Sequence, residues 1–292
     1  MNYKFKGLGV AMVTPFTHEK EIDYNATEKL IEHLIGGGVD YLVVLGTTGE
    51  TATLSDKEKK SLVKFVIKQN KKRVPIVVGV GGNDTKHVIE SIDNYDYDDI
   101  DAILSVTPYY NKPSQKGLEL HFKEIAANCP VPVILYNVPG RTGVNMTAET
   151  TLKLAQNSKI IAVKEASGNL NQISYILRDK PANFLVLSGD DGLILPQLAL
   201  GMDGLISVLG NALPKPLSEM IKLGMNGNFA EARKINLNLV EVIDTIFVEG
   251  SPSGVKAALS IKGLMENSLR LPLAPVSEST YNKLSQLLMN FR

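Results

Sequence analysis

The chain has 292 residues, 44% hydrophobic and 21% charged, which excludes a disordered protein and suits one large α/β domain or a domain with an appendage. Its 31 basic and 31 acidic residues cancel, giving no support to a nucleic-acid surface or a polybasic membrane patch. The single cysteine, Cys129, excludes an internal disulfide or a cysteine-rich zinc site.

That cysteine usage fits a reducing compartment. No apolar stretch approaches the length of a membrane span, and residues 1–10 carry no secretion signal, so a cytoplasmic location is expected. The four histidines, His18, His33, His87 and His121, show no metal-ligand spacing and are expected at the surface or as caps.

In chain order, the run from Gly7 to Thr14 reads as a first strand, stopped by Pro15. Residues 23–35 have helical spacing, with Leu30, Ile31 and Leu34 on one face and three glycines as terminator. Residues 41–45 form a second strand that empties into Gly46-Thr47-Thr48-Gly49-Glu50. Ser55 and Glu58 make a capping box for a helix over 56–69. A third strand at 74–80 leads to Gly81-Gly82-Asn83-Asp84 and a helix from Thr85. A fourth at 101–106 is followed by Thr107-Pro108-Tyr109-Tyr110-Asn111 and a helix over 115–128. A fifth at 131–136 precedes Asn137-Val138-Pro139-Gly140-Arg141-Thr142 and a helix over 147–156. The sixth, Ile160-Ile161-Ala162-Val163-Lys164, is a short β-branched run closed by a lysine. Asn169 caps the next helix. Strands at 184–188 and 204–208 complete the series, and residues 214–292 show only helical periodicity.

Eight alternations of strand and helix imply a parallel sheet. Their spacing predicts an α/β (β/α)₈ TIM barrel with a helical C-terminal extension: a catalytic barrel over 1–223 and a helical domain over 224–292. An open doubly wound sheet would show G-x-G-x-x-G after its first strand, whereas Gly7-Leu8-Gly9 lies inside it.

In such a barrel the active groups sit at the C-terminal strand ends. An amine there, desolvated by its surroundings, can form a Schiff base with a carbonyl, although a strand-end lysine can also simply reach solvent. Tyr136 closes the fifth strand; a phenol titrates near 10, so proton relay near neutrality needs hydrogen-bonded partners such as Thr47 or Tyr110. Tyr109 is read as an ordinary aromatic, because adjacent residues point apart. The Gly46-Thr47-Thr48-Gly49 turn offers hydroxyls and N–H groups to a carboxylate or carbonyl oxygen. Arg141, on a Pro-Gly turn, suits bidentate capture of a carboxylate or pairing with a surface acid. Gly189-Asp190-Asp191 reads as helix capping rather than a cation site. Together these residues, without metal or nucleotide fingerprints, point to Schiff-base carbon–carbon chemistry on an oxo acid.

These stretches, with Ala166-Ser167-Gly168-Asn169, Ser188-Gly189-Asp190-Asp191, Phe229-Ala230-Glu231-Ala232-Arg233 and Leu269-Arg270-Leu271-Pro272, closely resemble the dihydrodipicolinate synthase family of the pyruvate-aldolase superfamily. The resemblance covers nearly the whole chain, in order and with matching spacing. It implies condensation of pyruvate with L-aspartate-4-semialdehyde, the first committed step of the diaminopimelate route to lysine. Lys164 would form the pyruvate Schiff base, Tyr136 would relay protons with Thr47 and Tyr110, and Tyr110 would be lent across a tight dimer interface. Thr48 and the backbone at Ile206 would contact pyruvate, Arg141 the semialdehyde's carboxylate, and Gly189 would also bind substrate; no organic cofactor or catalytic metal is implied. A tight dimer, usually paired into a tetramer, is implied. N-acetylneuraminate lyase and keto-deoxy sugar-acid aldolases share the lysine, tyrosine and G-x-T-G-E turn, and a catalytically silent oxo-acid sensor is a third reading.

Two departures stand out. Ser251-Pro252-Ser253-Gly254 replaces an Asn-Pro-x-Pro stretch common in the family. At the family's lysine-inhibition pocket this chain has Asn83 and Tyr109, which fit, but Asp56, Lys59 and His87 in place of the usual set. Lys59 puts positive charge where an ammonium should bind, so weak or absent lysine inhibition is expected.

Overall fold

A computed structural model describes residues 2–291. Eight strands, β1 (Gly7–Ala11), β2 (Tyr41–Val44), β3 (Ile76–Gly79), β4 (Ala102–Val106), β5 (Val133–Asn137), β6 (Ile160–Glu165), β7 (Leu185–Ser188) and β8 (Gly204–Ser207), close into a parallel barrel in sequence order. The last strand pairs back onto the first, Leu8 opposite Leu205. This is the expected (β/α)₈ barrel.

The helices that follow the strands are α1 (Tyr24–Gly36), α2 (Asp56–Asn70), α3 (Thr85–Ile92), α4 (Gln115–Asn128), α5 (Pro139–Thr142), α6 (Ala148–Leu154), α7 (Leu170–Asp179), α8 (Ile194–Ala199) and α9 (Pro214–Met225). Three more, α10 (Phe229–Phe247), α11 (Ser253–Ile261) and α12 (Glu278–Leu288), form the C-terminal extension. Ser55 and Asn169 cap α2 and α7 as expected, with Glu58 completing the capping box, and Asp23, expected inside the first helix, is instead its N-cap, accepting from the N–H of Ala26. The expected division at 223/224 falls inside α9.

Strand limits differ from the expected ones for identifiable reasons. Pro75 and Pro132 have no N–H to give to a ladder, so β3 and β5 begin after them, although both carbonyls still accept from a neighbouring strand. β1 ends at Ala11 rather than Thr14, because the N–H of Val13 donates to the side chain of Asn211 at 3.1 Å instead of to a strand.

Alternation along each strand produces two apolar layers. Residues such as Val43, Val77, Leu104, Ile134, Ala162, Leu187 and Ile206 fill the barrel interior, with Phe5 among them. Outward-facing residues pack on the helices, and this outer core runs without a break into the extension through Leu239, Val242, Ile246 and Leu284. Tyr41 crosses the interior because β1 offers it Gly9: a Cβ there would lie 2.2 Å from the ring.

One histidine expectation is corrected. His121 is buried in α4, its Nδ1 2.9 Å from the Thr85 hydroxyl, because its spacing places it on the same inward face as Leu118, Phe122 and Ile125. Burial lowers its pKa to about 4. Among the described residues no helix is long and apolar enough to cross a membrane.

Candidate active site

Parallel register sets Tyr136 of β5 opposite Lys164 of β6, and Lys164 opposite Leu187 of β7. Period-two alternation turns Tyr136 and Lys164 inward together with Ile134 and Ala162 one layer below. Lys164 does not snorkel to solvent: it is 5% exposed, and its Nζ lies 4.3 Å from the centroid of the Tyr136 ring. The contact holds the ammonium over a π face.

Both strand ends are tied from behind. Glu165, fully buried, accepts from Asn137 Nδ2 at 3.0 Å, Gln172 Nε2 at 3.1 Å and the N–H of Ser167 at 2.7 Å. Asn137 in turn accepts from the N–H of Met146. These bonds lock the residues directly following Tyr136 and Lys164 to each other and to α7.

Lys164 opens into a cavity of about 520 Å³ at the C-terminal mouth of the barrel. Six of the eight expected catalytic and substrate residues meet there: Thr47, Thr48, Tyr136, Arg141, Lys164 and Gly189. Thr47 and Thr48 form a single 3-10 turn with Gly49, closed by Glu50 in the left-handed region at φ 53°. The opening N–H groups of such a turn have no partner within it. Thr14 Oγ donates to the carbonyl of Gly49 at 2.7 Å and fixes the turn to the segment that follows β1.

Arg141 sits in α5, which Pro139 starts and Gly143, at φ 70°, ends. Buried Thr142 anchors that turn by donating to the carbonyls of Val138 and Val144. Gly189 is there for space: a Cβ would stand 2.9 Å from Lys164 Cε and 2.7 Å from Ala166 Cβ.

The two neighbouring acids are occupied, but not as helix caps: α8 begins at Ile194 with Leu193 before it and no side-chain cap bond. Asp190 Oδ1 accepts from the N–H groups of Gly192 and Leu193. Asp191 is buried, accepts from the Ser207 hydroxyl and from the N–H groups of Val208 and Leu209, and so ties β7 to the end of β8. Burial pushes its carboxyl pKa up, while those three donors and the charge of Lys164 work the other way.

Two expected residues do not line the cavity in the single chain. The Ile206 side chain points into the packed barrel interior while Val208 lines the cavity, so only the Ile206 backbone is left for the expected contact. Tyr110 does not line the cavity; it is 88% exposed on a turn with φ 74°, a conformation rare for a tyrosine. Asn111 holds the turn by donating from Nδ2 to the carbonyl of Asn83 at 2.9 Å.

Sequence reading missed the far wall. Ile243, Asp244, Phe247 and Val248 of α10 and its end, with Ser251, close one side of the cavity. No local signal in the sequence brings a helix about 80 residues downstream of Lys164 over the barrel mouth. Asp244 is exposed and has no salt-bridge partner among the described residues.

The residues at the expected regulatory pocket are exposed or partly so. Asp56 and Lys59 form an ion pair at 3.2 Å in the first turn of α2. His87, on α3, faces Glu90 at 4.0 Å, and Tyr109 is 43% exposed.

Comparison with known proteins agrees over the whole chain. The family model described as Dihydrodipicolinate synthetase family matches residues 4–291. A 4-hydroxy-tetrahydrodipicolinate synthase of Parabacteroides distasonis is 50% identical over 284 residues, covering 97% of this chain and 96% of that one. Among solved structures, the chloride-inhibited dihydrodipicolinate synthase of Acinetobacter baumannii complexed with pyruvate superposes with a TM-score of 0.94 at 38% identity, covering 98% of each chain. The enzyme from Cyanidioschyzon merolae with lysine bound gives a TM-score of 0.94 at 39% identity, with the same coverage.

Proposed function

The chain belongs to the dihydrodipicolinate synthetase family, and from that premise we propose that it condenses pyruvate with L-aspartate-4-semialdehyde, the reaction of a 4-hydroxy-tetrahydrodipicolinate synthase. The observation that carries the reading is a nearly buried lysine amine over the Tyr136 ring, at the floor of a cavity that also holds two threonines and an arginine.

The Lys164 amine adds to the ketone carbon of pyruvate, and loss of water gives the imine. Departure of a methyl proton gives the enamine, whose carbon attacks the semialdehyde's carbonyl and forms the new bond. The resulting alkoxide takes a proton. The semialdehyde's own amine then adds to the imine carbon, and Lys164 leaves as the ring closes. Tyr136 gives and takes these protons, relayed through Thr47. Tyr110 of a second copy completes the relay, which accounts for a tyrosine held out in solvent on a strained turn. By its family the assembly is a tight dimer, paired into a tetramer, acting in the cytoplasm.

The turn at Thr47 and Thr48 receives the pyruvate carboxylate, with Gly189 leaving room, and the backbone at Ile206 also contacts pyruvate. Arg141 takes the semialdehyde's carboxylate. Asp190 and Asp244 put negative charge at the mouth, where that substrate's ammonium enters. The Asp56–Lys59 pair occupies the regulatory position, so lysine inhibits weakly or not at all.

The test is borohydride trapping with pyruvate, peptide mapping of the adduct, and a turnover assay with aspartate semialdehyde. An adduct at Lys164 with turnover is expected. An adduct without turnover moves the chain to another pyruvate aldolase, and no adduct leaves an oxo-acid sensor.

A further inference from the structure

The turn that bears Thr47 and Thr48 ends in a buried charge. The Glu50 side chain is fully shielded from solvent and forms an ion pair with Lys256, whose side chain is equally shielded. The two residues are 206 positions apart in sequence. Lys256 lies in the first turn of α11, just beyond Ser251 in the cavity wall. Its Nζ also donates to the carbonyl of Ser268 at 2.9 Å and lies 4.2 Å from the centroid of the Phe16 ring. Glu50 Oε2 accepts the N–H of Arg270 at 3.0 Å, and the Arg270 guanidinium reaches Glu58 on α2 and the carbonyl of Lys20. The turn is thus bolted to the C-terminal extension by an ion pair that water cannot screen.

We infer that Glu50 and Lys256 are positioning residues: without touching substrate, their ion pair holds Thr47 and Thr48 at the height where they receive the carboxylate of the oxo acid. The inference rests on the assignment of that turn to pyruvate. Glu50 stands next to Gly49 in the left-handed region, and Thr53 Oγ donates to its carbonyl, so its backbone cannot swing without moving the turn. The C-terminal extension is then part of the substrate site in two ways, as its wall and as the anchor of its carboxylate-binding turn.

The charges facing Lys256 are Glu50 on the turn, Arg270 on the segment after α11 and Lys20 on the loop after β1; Glu58 is reached through Arg270. Burial lowers the Lys256 pKa to about 8, with Arg270 and Lys20 adding to the drop and Glu50 opposing it. Deprotonation leaves Glu50 facing a neutral amine, so the turn loosens as pH rises through that value.

The experiment compares the wild type with Glu50→Gln/Lys256→Met, which removes both charges rather than stranding one, and with Lys256→Arg, whose cation does not titrate. The expected result for the folded double variant is a pyruvate adduct still trapped by borohydride, a KM for pyruvate raised about tenfold or more, and a KM for the semialdehyde within about twofold of wild type. The wild type is expected to lose kcat/KM for pyruvate above about pH 8, and Lys256→Arg to lack that loss. A folded double variant with the wild-type KM for pyruvate overturns the inference, as does an alkaline loss that persists in Lys256→Arg. If the double variant does not fold, the pH comparison decides alone. Failure of the wild type itself to trap pyruvate is a different outcome: it overturns the proposed activity.

Discussion

Gly189→Ala separates the space around Lys164 from its chemistry. The glycine's backbone is compatible with alanine, so the methyl acts by volume alone. It would meet Lys164 Cε at 2.9 Å, Lys164 Cγ at 3.2 Å and Ala166 Cβ at 2.7 Å. Ordinary carbon contacts lie near ~3.5–4 Å, so the lysine stem must shift by about 0.5–1 Å. The stability loss is about 1–3 kcal/mol, the lysine stem yielding by side-chain rotation and Ala166 Cβ only through its backbone. For catalysis the same shift is severe, since a misplacement of about 1 Å in a reacting group costs on the order of 10²-fold, or about 2.7 kcal/mol. The assay is the rate of borohydride-trapped pyruvate adduct by intact mass, beside kcat/KM and a thermal melt. Gly36→Ala is the control, because its added methyl meets nothing within 4 Å. A folded Gly189→Ala enzyme that traps pyruvate within about twofold of the wild-type rate would refute the steric argument.

Mixing Tyr110→Phe subunits, which keep Lys164, with Lys164→Ala subunits, which keep Tyr110, is expected to restore turnover that neither has alone; no recovery after subunit exchange would place Tyr110 outside the partner's site. Lysine titration is expected to leave the wild type nearly uninhibited at concentrations that saturate sensitive relatives, so strong inhibition at low lysine would remove the argument from Lys59. The pKa of His121 is lowered by burial from 6.5 to about 4, so the unfolded chain binds a proton that the folded chain refuses between those values. Stability therefore falls as pH drops from about 6.5 towards 4, and His121→Gln is expected to flatten that part of the urea-midpoint profile. An unchanged slope in the variant would assign the acid loss to other groups.

The local parts of the site were legible because they obey short periods. Lys164 and Tyr136 each end a β-branched run, and a strand's side chains alternate, so the residue pattern alone sets both at the mouth of a barrel. Caps at Ser55 and Asn169 were equally local, each satisfied within three residues. His121 was misread because a lone histidine carries no sign of the face it occupies until the surrounding apolar spacing is counted with it.

The sequence by itself therefore determined the number and order of βα units, the strand-end positions of Lys164 and Tyr136, and the turns that carry Thr47, Thr48 and Arg141. Only tertiary structure decided that Tyr110 stands away from its own cavity, that α10 walls the mouth, and that Gly189 clears a path for the lysine. It alone joined Glu50 to Lys256 and Asp191 to Ser207. The reason is range. Hydrogen-bond ladders and caps act between neighbours and leave a period in the chain, whereas burial joins charges and surfaces at any separation, 16 residues for Asp191 and Ser207 and 206 for Glu50 and Lys256, through a shared low-dielectric interior that no period records.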